Sequence, residues 1–234
     1  DPLVFSDLYD AQGLGFLVGE TDAASATDRK RITNDAYVEL AGIRGYWRKR
    51  STTISLTAGT SAYNAPSDFA DIYRLYYRRN GLYYEVEVLG DKDWLEVSAI
   101  SSTDLGDPEY ARITQTSAAQ NQIEISPSPS SNFISAVTAS LTLEYFIEIT
   151  RLVSDSDQPI LPANLRHLIV PLAGYFYAVA QGDKLLADSL RIRAIEAKQM
   201  VLKHDLTRTG KARRLRPPAG YYPGQTGRVG YDYR

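Results

Sequence analysis

The sequence contains no cysteine. That excludes disulfides, thiolate metal sites and cysteine nucleophiles together. Histidine is almost as scarce, with His167 and His204 the only two. A histidine-based metal centre or a Ser-His-Asp triad has little material to be built from. No run of about 18 apolar residues occurs, so no membrane-spanning helix is predicted, and no signal peptide is expected. No glycine-rich phosphate loop with its lysine is present; Gly13-Leu14-Gly15 is too short a match to carry that meaning. No serine stands in a nucleophile-elbow pattern. Carboxylates exist that could serve acid–base work, among them Asp68, Asp71, Asp91 and Asp93, but turns and helix caps account for them. Asp91-Lys92-Asp93 lacks the remaining ligand positions of a calcium loop. Neither a cofactor nor a metal is expected.

What the chain does have is unevenly placed charge. The net charge over 234 residues is −2, yet residues 208–234 carry +6 and the remainder −8. The cations of the tail are Arg208, Lys211, Arg213, Arg214, Arg216, Arg228 and Arg234, against Asp232 alone. Pro217-Pro218, Gly220, Pro223-Gly224, Gly227 and Gly230 exclude regular structure there, so the tail by itself is expected to be disordered. Its aromatics Tyr221, Tyr222, Tyr231 and Tyr233 are unusual for a plain linker and predict a segment that orders on a partner. Tyrosine is abundant throughout, with 17 in the chain, a composition found at protein–protein contacts.

The chain is organised around residues 54–77. Ile54 and Leu56 alternate with Ser55 and Thr57, the period of a half-buried strand. Gly59 breaks that strand, Pro66 and Ser67-Asp68 mark a turn, and Ile72–Tyr77 is a second strand. Before it, Ile32, Ala36, Leu40, Ile43 and Trp47 lie on one face of a helix predicted over 26–48, with Arg44, Arg48, Lys49 and Arg50 at the end the helix dipole favours for cations. A short helix (Leu3, Phe5, Leu8) and then a loop are expected ahead of it. Asn80-Gly81 predicts a type I′ hairpin with return strand 82–89, presenting Tyr84, Val86 and Val88 on one face. A short helix over 90–98, capped by Asp91, is expected to turn Trp94 and Leu95 inward. Strands follow at 110–115, 122–125 and 134–149.

Pro162 starts a helix whose apolar face is Leu165, Leu168, Ile169, Leu172, Phe176 and Val179, with Pro171 predicted to kink it. A joint at Gln181-Gly182-Asp183 leads to a second helix running to about Leu206, ended by Thr209-Gly210, with Leu186, Leu190, Ile195 and Leu202 inward. The fold class read from this pattern is α+β. It is a bundle of about three helices with an inserted antiparallel β-sandwich or barrel and an extended C-terminal tail. Its parts are an N-terminal segment and first long helix (1–50), the β insertion (51–150), a helical hairpin packing on the first helix (151–208) and the tail (209–234).

A helix ending in Trp47, then a strand, then Thr57-Ala58-Gly59-Thr60 leading to Tyr63 and Pro66-Ser67-Asp68, resembles the head-to-tail adaptor (connector) proteins of tailed bacteriophages. The similarity is greatest to the podovirus-like tail-tube adaptors. In that family a Thr-Gly-Thr…Tyr…Leu-Pro…Asp phrase follows the first long helix; here Ala65 stands where leucine is usual and the first phrase is expanded by one residue. The phrase covers about 25 residues, and the order of elements agrees over most of the chain.

The resemblance implies a non-enzymatic virion protein of the neck, assembled in the host cytoplasm. It implies a homo-oligomeric ring, typically of twelve copies, bound to the portal protein above and a tail or nozzle protein below. Genomic DNA passes through the ring without sequence-specific binding. An acidic body suits such a channel, since a like-charged wall does not grip DNA.

The residues assigned to portal docking are Arg213, Arg214, Arg216, Tyr221, Tyr222, Arg228, Tyr231 and Tyr233, where tyrosines anchor and arginines donate bidentately. Arg48 and Lys49 are assigned to contact with a neighbouring subunit. The tail also admits a nucleic-acid reading, with cations on phosphates and aromatics on bases, and the plain reading of a solubilising extension. A glycan hydrolase is motivated only by carboxylates near tyrosines and Trp94.

Overall fold

The computed structural model describes residues 3–10, 13–19, 25–101, 105–116, 120–137 and 140–214. The chain is α+β, with a helical layer and a curled seven-stranded sheet, each with its own hydrophobic core. Three helices precede the sheet: α1 (Phe5–Tyr9), α2 (Leu14–Val18) and α3 (Ala26–Gly42). The second of these replaces the loop expected after Leu8; it closes on Gly19 in the left-handed region, φ 73°.

The long helix α3 stops at Gly42, six residues before the expected end. Ile43 leaves it with extended geometry, and Trp47 belongs instead to a short 3-10 turn, Tyr46–Arg48. The aromatic ring still reaches the helical core, because Gly45 has no side chain: a Cβ there would lie 2.3 Å from the indole. Trp47 is buried and its indole N–H donates to Ala41 O at 3.3 Å.

The sheet contains β1 (Lys49–Ser55), β2 (Ala62–Asn64), β3 (Phe69–Arg79), β4 (Leu82–Val88), β6 (Tyr110–Gln115), β7 (Asn121–Ser126) and β9 (Ser140–Ile147). Between them lie α4 (Asp91–Ser101), the two-residue strand β5 (Leu105–Gly106), its partner β8 (Ser128–Pro129), and α5 (Ser131–Ala136). The order is β1-β9-β3-β4-β6-β7-β2. The antiparallel expectation is corrected at one joint of this sheet, where β4 and β6 run parallel, Glu87 opposite Tyr110 and Val88 opposite Ala111, and again in the separate β5–β8 pair, which is also parallel. A parallel pair needs a crossover, and α4 supplies that between β4 and β6. This helix buries Trp94 but leaves Leu95 64% exposed, so Leu95 is not inward as expected. The Arg112 guanidinium covers the Trp94 ring at 5.1 Å and pairs with Glu124 at 2.7 Å.

The β3–β4 hairpin has its predicted turn, with Asn80 at φ 52° and Gly81 at φ 80°. Of the face predicted for β4, Val86 is buried, whereas Tyr84 and Val88 are exposed. The strand expected from 134 onward is a helix until Ala136. Ser130 caps it, its hydroxyl accepting from Phe133 N at 3.1 Å, and so overrides the β-branched residues that follow.

The C-terminal helices are α6 (Ile169–Gln181) and α7 (Lys184–Arg214). Pro171 does not kink a long helix as expected. A 3-10 segment, Ala163–Leu168, comes first, and the α-helix begins at Ile169, so Pro171 falls in the first turn where amide protons have no intrahelical partner. Gly182 turns the chain at φ 73°, and Asp183 accepts from Leu186 N at 3.0 Å.

Helix α6 packs against α3 on one side and α7 on the other. Gly174 brings α6 close to both α2 and α7: a Cβ there would lie 2.5 Å from Leu17 and 3.1 Å from Leu190. On α6 the buried set is Ile169, Leu172, Ala173, Gly174, Tyr177 and Ala178; Phe176 is half-buried and Val179 is exposed. On α7 it is Leu190, Ala194, Ala197 and Val201, whereas Ile195 and Leu202 face solvent and Leu186 is half-buried. The last helix also continues through Thr209-Gly210 to Arg214. One glycine costs a helix about 1 kcal/mol relative to alanine, and Lys211-Ala212-Arg213-Arg214 are good helix formers beyond it.

Candidate functional site

The stretch that organises the sequence also stitches the sheet together. Gly59 takes φ 75°, and Thr60 N donates to Thr57 O at 3.1 Å. The Tyr63 hydroxyl accepts from Thr57 N at 3.2 Å and lies 2.8 Å from Thr60 O, to which it donates. One phenol therefore fixes the whole β1–β2 connector, and burial raises its pKa. Phe69 N donates to Pro66 O at 3.1 Å. Asp68 then reaches β9: its carboxylate accepts from the Tyr145 hydroxyl at 3.0 Å and its carbonyl from Glu148 N at 2.8 Å. Ala65, at the position where a larger residue was noted as usual, is buried in the sheet core.

Arg48 and Lys49 occupy the joint between the two layers. Arg48 donates from Nε and Nη2 to Ile147 O at 3.1 and 2.8 Å, and from Nη1 to Gly42 O at 2.7 Å. It thereby caps the end of α3 and ties it to β9. Burial, and then the charge of Arg44, lower its pKa. Lys49 Nζ lies over the Tyr73 ring at 3.3 Å, and Tyr73 meets Phe146 edge-on at 5.7 Å. Arg44 pairs with Asp71 beside the same phenylalanine. The result is a rim of three cations on two aromatic rings, Tyr73 being 43% exposed.

Next along the sheet, Tyr76 packs edge-on to Tyr83, Arg78 lies over Tyr83, and Arg74 pairs with Glu85 at 3.1 Å. Burial and then Glu144 raise the Tyr76 pKa. Tyr83 is 68% exposed. Neither Tyr73 nor Tyr83 was singled out from the sequence; strand alternation would turn Tyr73 inward with Leu75 and Tyr77, and a register shift between Ile72 and Arg74 leaves it exposed instead.

Arg213 and Arg214 are in the last turn of α7. Arg216, Tyr221, Tyr222, Arg228, Tyr231 and Tyr233 lie outside the described residues. The carboxylates considered for acid–base work are dispersed: Asp68 and Asp71 are tied as above, and Asp91 and Asp93 occupy the first turn of α4. Among the described residues no group of three His, Asp or Glu side chains could hold a metal ion, and no helix is long and apolar enough to cross a membrane.

A family model, that of the SU10 adaptor protein, matches residues 9–219. The chain belongs to the SU10 adaptor protein family. The match takes in α2, α3, the whole sheet, α6 and α7, so it spans both layers and leaves out only the first helix up to its last residue. The protein is a phage head-to-tail adaptor, a structural protein of the virion neck. Among curated proteins none matches the chain. In this SU10 adaptor Asp68 and Asp71 are engaged by Tyr145 and Arg44 respectively.

Proposed function

We propose that this SU10 adaptor is a non-enzymatic subunit that forms a homo-oligomeric ring on the portal protein and connects the capsid to the tail, with DNA passing through its lumen. The family match over 9–219 carries this reading. The division of charge supports it: +6 in residues 208–234 against −8 in the rest gives a basic docking segment on an acidic body. So does α7, which exposes Leu185, Ile192, Ile195 and Leu202 opposite the face it buries. A helix that faced only water would be polar there, and side-by-side copies would cover it. The docking contacts are Arg213, Arg214, Arg216, Tyr221, Tyr222, Arg228, Tyr231 and Tyr233. Lys49, on its exposed aromatic rim, is the cation better placed to meet a neighbouring copy, since Arg48 donates within the chain.

Mass photometry of the full chain, alone and with portal, tests the ring. A monomer that becomes a defined ring on the portal is expected, and a chain ended at Arg214 should stay folded and fail to bind. Full-strength portal binding by that shortened chain would overturn the docking role. A chain indifferent to portal that shifts on DNA, with affinity falling steeply in salt, would identify the nucleic-acid module instead.

A further inference from the structure

Among the described residues, the sheet ends in two strands that have a neighbour on one side only, β1 and β2. They do not lie far apart. The sheet curls until they face each other across a groove of about 420 Å³, walled by Thr52–Ser55 on one side and Tyr63–Pro66 on the other. Ile54, Tyr63 and Ala65 all join the sheet core, so the floor is apolar while the walls are strand edges. A strand edge is a row of backbone donors and acceptors that templates another strand, and folded proteins guard it with charge, proline or bulges. Here the guarding is partial. Lys49 and Arg50 stand at the start of β1 and Pro66 beyond β2, but Thr52–Ser55 carries no charge and no proline, and its register with β9 is unbroken.

We infer that this seam is a strand-binding site, and that it takes residues 226–234 of the same chain. In that segment Val229, Tyr231 and Tyr233 alternate with Gly230, Asp232 and Arg234. An apolar or aromatic side chain at every second position is what a strand presents to an apolar floor, and valine and tyrosine favour strands. The segment is within reach. His204 stacks on Tyr46 with ring centroids 5.9 Å apart, close before the start of β1. The rest of α7 adds about 15 Å to Arg214, and the residues from there to Val229 span up to about 50 Å. That suffices to bring Val229 to Thr53 whichever way α7 points. Insertion pairs both free edges and closes the curled sheet as a barrel. In the free chain the seam thus holds the tail that docking on the portal would require to be released.

The absence of cysteine makes a clean test. In the full chain, Thr53→Cys is combined in turn with Val229→Cys, Gly230→Cys, Tyr231→Cys, Asp232→Cys and Tyr233→Cys, oxidised mildly at low concentration and read by mass and gel mobility. Thr53 is on the exposed face of β1 and Ile54 on the buried one, so Gly230→Cys and Asp232→Cys should form intrachain disulfides and the odd-numbered positions should not. Equal, sparse cross-linking at all five overturns the proposal. Cross-links only between chains also overturn it, by giving the seam to a second copy. Independently, the full-length double variant Val229→Asp/Tyr231→Asp should speed amide exchange at Thr52–Ser55 about tenfold; unchanged exchange overturns the proposal. If the oxidised Gly230→Cys and Asp232→Cys pairs, with the tail locked in the seam, still bind portal at full strength, the docking role fails and the seam stands.

Discussion

At the scale of single residues, the helical layer depends on polar side chains that satisfy backbone groups far away in sequence. Asn34, on α3, donates from Nδ2 to Leu152 O at 2.9 Å and accepts from Leu152 N at 2.8 Å. Both residues are buried. Asn34→Ala would orphan a buried N–H and a buried C=O, each costing about 1–3 kcal/mol. The expected loss of stability, read from the urea midpoint, is therefore larger than the about 0.5 kcal/mol typical of a surface change. Asn34→Asp keeps the acceptor for Leu152 N but loses the donor and buries a charge, so it should not restore stability at neutral pH. None of this is visible in the sequence, where 118 positions separate Asn34 from Leu152. The reciprocal is true of Tyr63 and Asp68. Their spacing after Gly59 was legible, and the structure gives its reason: one hydroxyl fixes the connector and one carboxylate fastens it to β9.

At the scale of elements, what was legible is what local chemistry decides. Asn80-Gly81 sets the β3–β4 hairpin, and Gly182-Asp183 sets the α6–α7 turn. The parallel β4–β6 pairing was not legible, because strand partners across a crossover leave no local mark. The inward face of α7 was misread for a different reason: aliphatic residues occupy both sides of the helix, and the buried side is the one with small residues. Ala194 and Ala197 let α6 and α7 approach, while the larger Ile192 and Ile195 are 66% and 46% exposed. Two substitutions separate these faces. Ala194→Leu should overpack the α6–α7 contact and cost about 1–3 kcal/mol, whereas Ile192→Glu should shift the urea midpoint by no more than about 0.5 kcal/mol equivalent. The opposite ranking would mean that α7 is rotated from the face described. If copies pack through that outer stripe, Ile192→Glu should also diminish ring formation on the portal while the monomer stays folded. Of the candidate site, the tail was legible only as composition, and the cation–aromatic rim not at all, since Lys49, Tyr73 and Phe146 meet only through the pairing of β1, β9 and β3.

At the scale of the molecule, the two cores are joined. Ile160 packs against both, and Arg48 bonds the end of α3 to β9. Tyrosines are built into each. Tyr9 and Tyr37 belong to the helical core, and Tyr77 and Tyr145 to the sheet core. All four have raised pKa values, with burial the largest cause. Asp155 beside Tyr9 and Asp68 beside Tyr145 raise them further, while Ile160 N and Arg166 partly oppose the effect at Tyr37. An unfolded tyrosine ionises near pH 10. The folded state favours the neutral phenol, so the stability these residues contribute is complete below about pH 10 and is lost as pH rises through their higher folded values. With the cores joined, that loss should fall on both layers together. Phenolate absorbance followed against pH should rise in two stages, the second and steeper step coinciding with loss of far-ultraviolet circular dichroism. Tyr37→Phe removes an ionisable group from the core at the cost of one long contact, Ile160 N to the hydroxyl at 3.4 Å. It should therefore move the second step to higher pH. All tyrosines ionising together near pH 10 with the dichroism retained would show that the buried phenols contribute no such alkaline limit.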